Sequence, residues 1–172
     1  MDNITAEVVE LVAKQMLVAA RTAPKAMGVD NLRLALVSGE GIKKLSDEMK
    51  KLAASNGMAY FNRDAASILK ASCIVLLGTG IKPLGLKTCG FCGYKSCAEK
   101  LKNSAAPCIF NTGDLGIAIG AAVSLAADNR IDNRIMFSAG VAALSLGLLG
   151  DAKVAYGVPL SASAKNPFFD RQ

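Results

Sequence analysis

The chain has 172 residues, 52% of them hydrophobic but only 5% aromatic, with no tryptophan and a formal charge of +6. That length suits one domain with its own core, built here from small and aliphatic side chains. Histidine is absent, which excludes Ser-His-Asp and Cys-His catalysis, histidine-ligated zinc fingers and two-histidine iron sites.

Ile4, Val8, Val12 and Met16 recur every fourth residue with Leu11 beside them. They predict an amphipathic helix from Ile4 to about Thr22, capped by Asp2 or Asn3 and ended by Pro24. Leu32, Leu34 and Leu36 alternate before Ser38-Gly39 and read as a strand. Ile42, Leu45, Met49 and Leu52 mark one face of a second helix, whose lysines and acids form a solvated face. Asn62 is a candidate cap for a short helix through Leu69. The apolar run from Cys73 to Gly78 has the pattern of a strand buried on both faces, with Cys73 as a small core residue.

After a loop containing Pro83, Lys95 to Asn103 is expected to form a helical turn halted by Pro107. Asn111 to Asp114 supply caps for a helix from Leu115 to about Asp128, on which Gly116 and Gly120 allow close packing. The polar segment 128–134 connects to a further apolar helix, Ile135 to Leu149. It either satisfies its own ion pairs or offers its arginines to a phosphate or carboxylate. Val154 to Leu160 closes the sheet, with Pro159 pointing to an edge or strand end. The tail carries adjacent Phe168 and Phe169 and is expected to fold over the cysteine segment or a second subunit.

Four of the five cysteines, Cys89, Cys92, Cys97 and Cys108, read C-x2-C-x4-C-x10-C, with Gly90 and Gly93 following the first two. Glycine lets a tight loop turn two thiolates toward one point. The favoured reading is an iron–sulfur cluster, [4Fe-4S], since four thiolates are its usual complement. A structural zinc remains an alternative, although its ligands usually come as two close pairs; disulfides or inert cysteines are the third. Lys82, Lys87, Lys95, Lys100 and Lys102 surround the segment, where their charge would offset an anionic cluster or steer an acidic redox partner protein.

No apolar run reaches the roughly 18 to 20 residues needed to cross a bilayer, and the acidic start is unlike a secretory signal. The expectation is a cytoplasmic protein, reducing enough for free thiols, with no membrane partner. The lysines form no dense block and few aromatics interleave them, so no nucleic-acid partner is expected either.

The Cys-Gly-x-Cys-Gly-x-x-x-Cys at 89–97, Asp114 to Gly120, Asp132 to Met136 and the closing Lys165 to Arg171 together resemble a prokaryotic family of uncharacterised proteins containing a ferredoxin domain. That resemblance spans essentially the whole chain and implies a [4Fe-4S] site at Cys89, Cys92, Cys97 and Cys108. Ala19 to Ala26, the order of elements after it and the small-residue helix at Asp114 are similar to the FMN-dependent nitroreductase fold. This second resemblance implies an α/β (α+β) architecture, a central mixed sheet flanked by helices, here with an inserted four-cysteine cluster loop. It also implies a homodimer and FMN held near Arg21, Pro24, Lys25 and Ala26. The chain departs from that pattern in having no arginine-rich start. The expected organisation is a single domain, 1–172, with a cluster-binding segment at 88–110 and a C-terminal arm at 161–172. The expected role is single-electron transfer, with an FMN oxidoreductase using the cluster as a relay and a zinc-stapled binding module as alternatives.

Overall fold

A computed structural model describes residues 3–102 and 106–169. Four strands, β1 (Leu32–Ser38), β2 (Cys73–Thr79), β3 (Asp132–Asn133) and β4 (Val154–Ser161), form one sheet in the order β1-β2-β4-β3. All seven residues of β2 are buried, as its unbroken apolar run predicts. Side chains alternate across a strand, so Cys73, Val75 and Leu77 enter one hydrophobic layer and Ile74 and Leu76 the other. The first layer is covered by α1 (Asn3–Thr22) and α5 (Ile109–Asp128). The second is covered by α2 (Glu40–Asn56), α3 (Tyr60–Ile68) and α6 (Phe137–Ser145).

Helices thus flank a central sheet on both faces, but that sheet is wholly antiparallel where the resemblance implies a mixed one. Two helices separate β1 from β2, and the extra traverse returns β2 in the opposite sense, with Leu32 opposite Thr79 and Ser38 opposite Cys73. Pro159 lies inside β4, which has neighbours on both sides, and is not at a sheet edge. Its neighbour Leu160 accepts from the Ser72 amide at 2.9 Å on the β2 side. The proline nitrogen therefore faces the other way, toward the short β3, where no ladder bond is lost.

Several boundaries move. Helix α5 starts at Ile109, with Cys108 in extended geometry as its N-cap, so the expected caps Asn111 to Asp114 lie inside the helix. At 20 residues α5 is long and apolar enough to cross a membrane by length and composition, which the sequence reading did not expect. Its Leu115, Ala118, Ile119, Ala122 and Ala126 are buried against the core beneath α1. Asn62 is likewise inside α3, and α6 stops at Ser145 before Gly147 and Gly150 take left-handed backbone angles.

On α1 the buried face is Val9, Val12, Ala13, Met16 and Ala20, while Ile4, Val8 and Leu11 are 76%, 49% and 56% exposed. A step of four residues advances about 40° around a helix, so Ile4, Val8, Val12 and Met16 wind about 120° from the open side to the core.

The tail folds back on its own domain. Phe168 is fully buried in the layer under α2, α3 and α6, and Arg134 donates to its carbonyl at 2.9 Å. Arg134 also lies 3.6 Å from the buried Asp64 carboxylate, so the polar connector pairs outside itself. The expected cap at Asp2, the end of the helical turn at Asn103, and Asp170 and Arg171 of the arm lie outside the described residues.

Candidate metal centre

The chain leaves β2 at Thr79 and runs through an irregular loop whose Gly90 and Gly93 hold φ of 81° and 86°. An ordinary side chain is strained at such angles, which is why glycine follows each cysteine of the first pair. The Gly93 amide donates to the Gly90 carbonyl at 2.9 Å, closing a turn around Phe91 and Cys92. Ser96 then caps the short helix α4 (Cys97–Leu101), its hydroxyl accepting from the Glu99 amide at 3.2 Å. The Glu99 carboxylate reaches back to the Lys95 amide at 2.8 Å. These bonds place Cys97 as the first residue of α4.

Cys108 sits at the start of α5, where the open first-turn amides of a long helix favour negative charge. Two contacts tie the glycine loop to that helix start. The Asn111 side-chain oxygen accepts from the Lys82 amide at 2.8 Å, and the Phe91 and Phe110 rings stack with centroids 6.4 Å apart.

Cys89, Cys92, Cys97 and Cys108 all line one narrow cavity between this loop, α4 and the start of α5. All are free thiols, the first three partly exposed and Cys108 buried. Among the described residues, however, no three Cys, Asp or Glu side chains converge tightly enough to hold an ion. Cys73 lies in β2, outside the cavity, and burial pushes its thiol up to about 12, with the charge of Glu10 adding to the effect.

The cavity wall includes Lys100, which is 1% exposed and whose Nζ has no hydrogen-bond partner among the described residues. A buried amine left unpaired is costly, so a space beside it and four sulfurs suits a negatively charged occupant. The donor set therefore fits a four-thiolate metal group in kind. Lys100 was one of five surrounding lysines in the sequence. Its spacing is the signal that separates it, since residues three apart on a helix share a face and Lys100 follows Cys97 by three. The other four lysines, Lys82, Lys87, Lys95 and Lys102, are exposed around the loop.

The second predicted set lies at the end of α1. Lys25 donates to the carbonyls of Ala20, Arg21 and Ala23 at 3.1, 2.7 and 2.7 Å, closing the helix terminus, and Arg21 pairs with Asp30. Pro24 interrupts the helix, and the Ala26 amide donates to Asp114 of α5 at 3.1 Å. Asp114 follows Cys108 by six residues, a rise of about 9 Å along α5. The two predicted sets thus attach to neighbouring turns of one helix. The polar groups of Arg21, Lys25 and Ala26 already have partners within the chain.

Comparison with known proteins agrees with this architecture. An FMN-bound nitroreductase from Desulfitobacterium hafniense superposes with a TM-score of 0.62 at 15% identity, covering 91% of this chain and 79% of that one. A putative nitroreductase in complex with FMN from Desulfovibrio desulfuricans gives 0.58 at 10% identity over 95% of this chain and 79% of its own. At these identities the likeness concerns the fold alone. An uncharacterized protein of Archaeoglobus fulgidus is 43% identical over 96% of this chain and 92% of its own length. The family described as "Uncharacterized protein containing a ferredoxin domain (DUF2148)" matches residues 104–171, a stretch that holds Cys108 but not the other three cysteines of the cavity. The chain belongs to this ferredoxin-domain family and has the nitroreductase-like fold.

Proposed function

We propose that the protein is an iron–sulfur redox protein in which Cys89, Cys92, Cys97 and Cys108 hold a [4Fe-4S] cluster. The observation that carries this reading is the gathering of four free thiols, from the glycine loop, α4 and the start of α5, around one cavity with an unpartnered buried lysine. When bound, such a cluster supplies reversible single-electron transfer at a potential set by charge, hydrogen bonds and exposure. The chain's own residues do the rest. Gly90 and Gly93 bend the loop, the Phe91–Phe110 stack clamps it to α5, and the apolar side chains of Pro83, Leu84 and Leu86 limit water in the cavity. Exposed Lys82, Lys87, Lys95 and Lys102 offer a positive rim to an acidic redox partner protein.

Protein prepared without oxygen is expected to be brown, with broad absorbance near about 400 nm and about four irons and four sulfides per chain. Colourless protein holding a single zinc overturns the reading in favour of a zinc-stapled binding module.

A second reading adds FMN, with the cluster as its electron relay and the flavin near Arg21, Pro24, Lys25 and Ala26. It is favoured by the FMN-bound proteins that share the fold and by the shared attachment of both residue sets to α5. Absence of a yellow, extractable chromophore after incubation with excess FMN counts against it. The assembly we propose is a homodimer. Ile4, Val8, Leu11 and Val18 form an exposed apolar stripe along α1, and a Cβ at Gly113, Gly116 or Gly120 of α5 would meet nothing within 4 Å among the described residues. The setting we propose is the reducing cytoplasm, where thiols stay available for metal.

A further inference from the structure

Lysine almost never lies fully buried unless its charge is paired. Lys100 is buried to 1% exposure in a helix of only five residues, its Nζ lacks any hydrogen-bond partner among the described residues, and it lines a cavity with four cysteines on its wall. The neighbouring Lys102, two residues on, is exposed, so burial is specific to this position. Glu99 beside it engages the Lys95 amide through its carboxylate. Among the described residues that line the cavity there is no aspartate or glutamate, leaving the cysteine sulfurs as the side chains there best suited to carry negative charge.

We infer that Lys100 is a built-in counter-charge for the occupant of the four-cysteine cavity, a positioning residue that favours retention of a negatively charged metal–thiolate group and its more reduced state. The inference rests on the cluster reading above and adds to it the residue that tunes the site. In the metal-free chain the buried amine has nothing to offset its desolvation, so it destabilises the fold. With four thiolates and a metal group beside it, the same amine is attracted to net negative charge through a low-dielectric wall. Adding an electron raises that negative charge, so the attraction grows on reduction. Lys100 therefore has opposite effects on the empty and the loaded protein, a signature that an ordinary packing residue does not give.

The experiment compares wild type with Lys100→Met, Lys100→Arg and, as a control at an exposed lysine of α2 that does not line the cavity, Lys43→Met, each as the full chain, both loaded without oxygen and stripped by chelator. Iron and sulfide content, thermal unfolding, and the midpoint potential from a redox titration followed by electron paramagnetic resonance are the readouts. The expected result is that Lys100→Met raises the Tm of the stripped protein, lowers that of the loaded protein, and shifts the midpoint potential to a more negative value. Lys100→Arg should move the potential less than Lys100→Met, and Lys43→Met should match wild type throughout. A Lys100→Met protein that is folded but no longer keeps iron, while Lys100→Arg keeps it, supports the same conclusion through retention. Equal potentials in loaded wild type and Lys100→Met, a lower Tm for stripped Lys100→Met, or loss of iron from Lys100→Met and Lys100→Arg alike overturns it and leaves the cluster reading standing. Wild type that takes up no iron and sulfide overturns both.

Discussion

The Arg134 guanidinium donates to the Phe168 carbonyl at 2.9 Å while standing 3.6 Å from the buried Asp64 carboxylate. Asp64 also accepts from Ser138 at 2.6 Å and from Arg63 at 2.9 Å, and the Arg134 guanidinium lies 5.5 Å from the centre of the Phe169 ring. One side chain therefore joins the C-terminal arm, the end of β3 and α3. Replacing it by Met, as Arg134→Met, should cost about 1–3 kcal/mol, since a charged hydrogen bond is lost while Asp64 keeps two other partners. Urea denaturation measures the loss, and limited proteolysis should cut the arm faster; unchanged stability with an intact arm refutes the account.

Helix α6 packs on β4 with no side chain between them at Gly140. A Cβ there would collide with the Ala155 carbonyl and sit 2.6 Å from the Tyr156 Cα. Both obstacles are backbone of a central strand, so Gly140→Ala should destabilise by about 3 kcal/mol, the upper end for overpacking. A thermal melt indistinguishable from wild type would show that α6 moves away freely.

Cysteine reactivity should divide by position. The thiolate is the reactive form, and burial pushes the Cys73 thiol up to about 12. In folded, metal-free protein at pH 8, a thiol reagent should modify Cys89, Cys92 and Cys97, reach the buried Cys108 more slowly, and spare Cys73 until denaturant is added. Mass mapping that finds Cys73 labelled first contradicts the buried β2 placement.

Acid should weaken the fold through identifiable carboxylates. The hydrogen bond from Ser145 holds Glu48 below its ordinary 4.5, and the bond from Arg33 holds Asp151 below its ordinary 3.8. At Asp30 burial pushes upward, but the Arg21 and Leu32 hydrogen bonds prevail and the group is lowered. Each folded-state value lies under the unfolded one, so the stabilisation is complete above the unfolded value and is lost as pH falls through the folded one. Tm should therefore be nearly flat around neutrality and drop below about pH 4.5, where unfolded carboxylates begin to take protons. Ser145→Ala should make that drop shallower; an unchanged acid limb would show that Ser145 does not contribute to it.

The α1 stripe predicts assembly. Leu11 is 56% and Val18 62% exposed, and a charge placed there has no core to disturb. The double substitution Leu11→Glu and Val18→Glu should convert a dimer to a monomer in sedimentation at micromolar concentration, with the melting temperature of the dilute protein nearly unchanged. A wild type already monomeric under those conditions, or a variant still dimeric, removes α1 from the interface.

Local order was readable from the chain because short-range rules govern it. The alternation around Leu34, the unbroken run in β2 and the helical spacing of Leu45 and Met49 each report a nearest-neighbour preference that the fold keeps. The four cysteines were readable for the same reason, since their spacing and the glycines beside them are one-dimensional facts. The boundary of α5 was not, because Asn111 and Asp114 have capping chemistry in sequence but spend it on Lys82 and Ala26, partners distant along the chain.

What the sequence by itself determined is the main helices, the three longer strands and the thiol-rich segment between β2 and α5, whereas the two-residue β3 lies in what reads as a polar connector. What only the tertiary structure decided is which faces meet. It turned Ile4 and Val8 outward while burying Met16, because helical phase accumulates over a long helix and the core accepts one arc of it. It sent Phe168 into the second layer, and it singled out Lys100 from four neighbouring lysines by closing a cavity around its amine. Burial and pairing are properties of folded space, and no residue carries them along the chain alone.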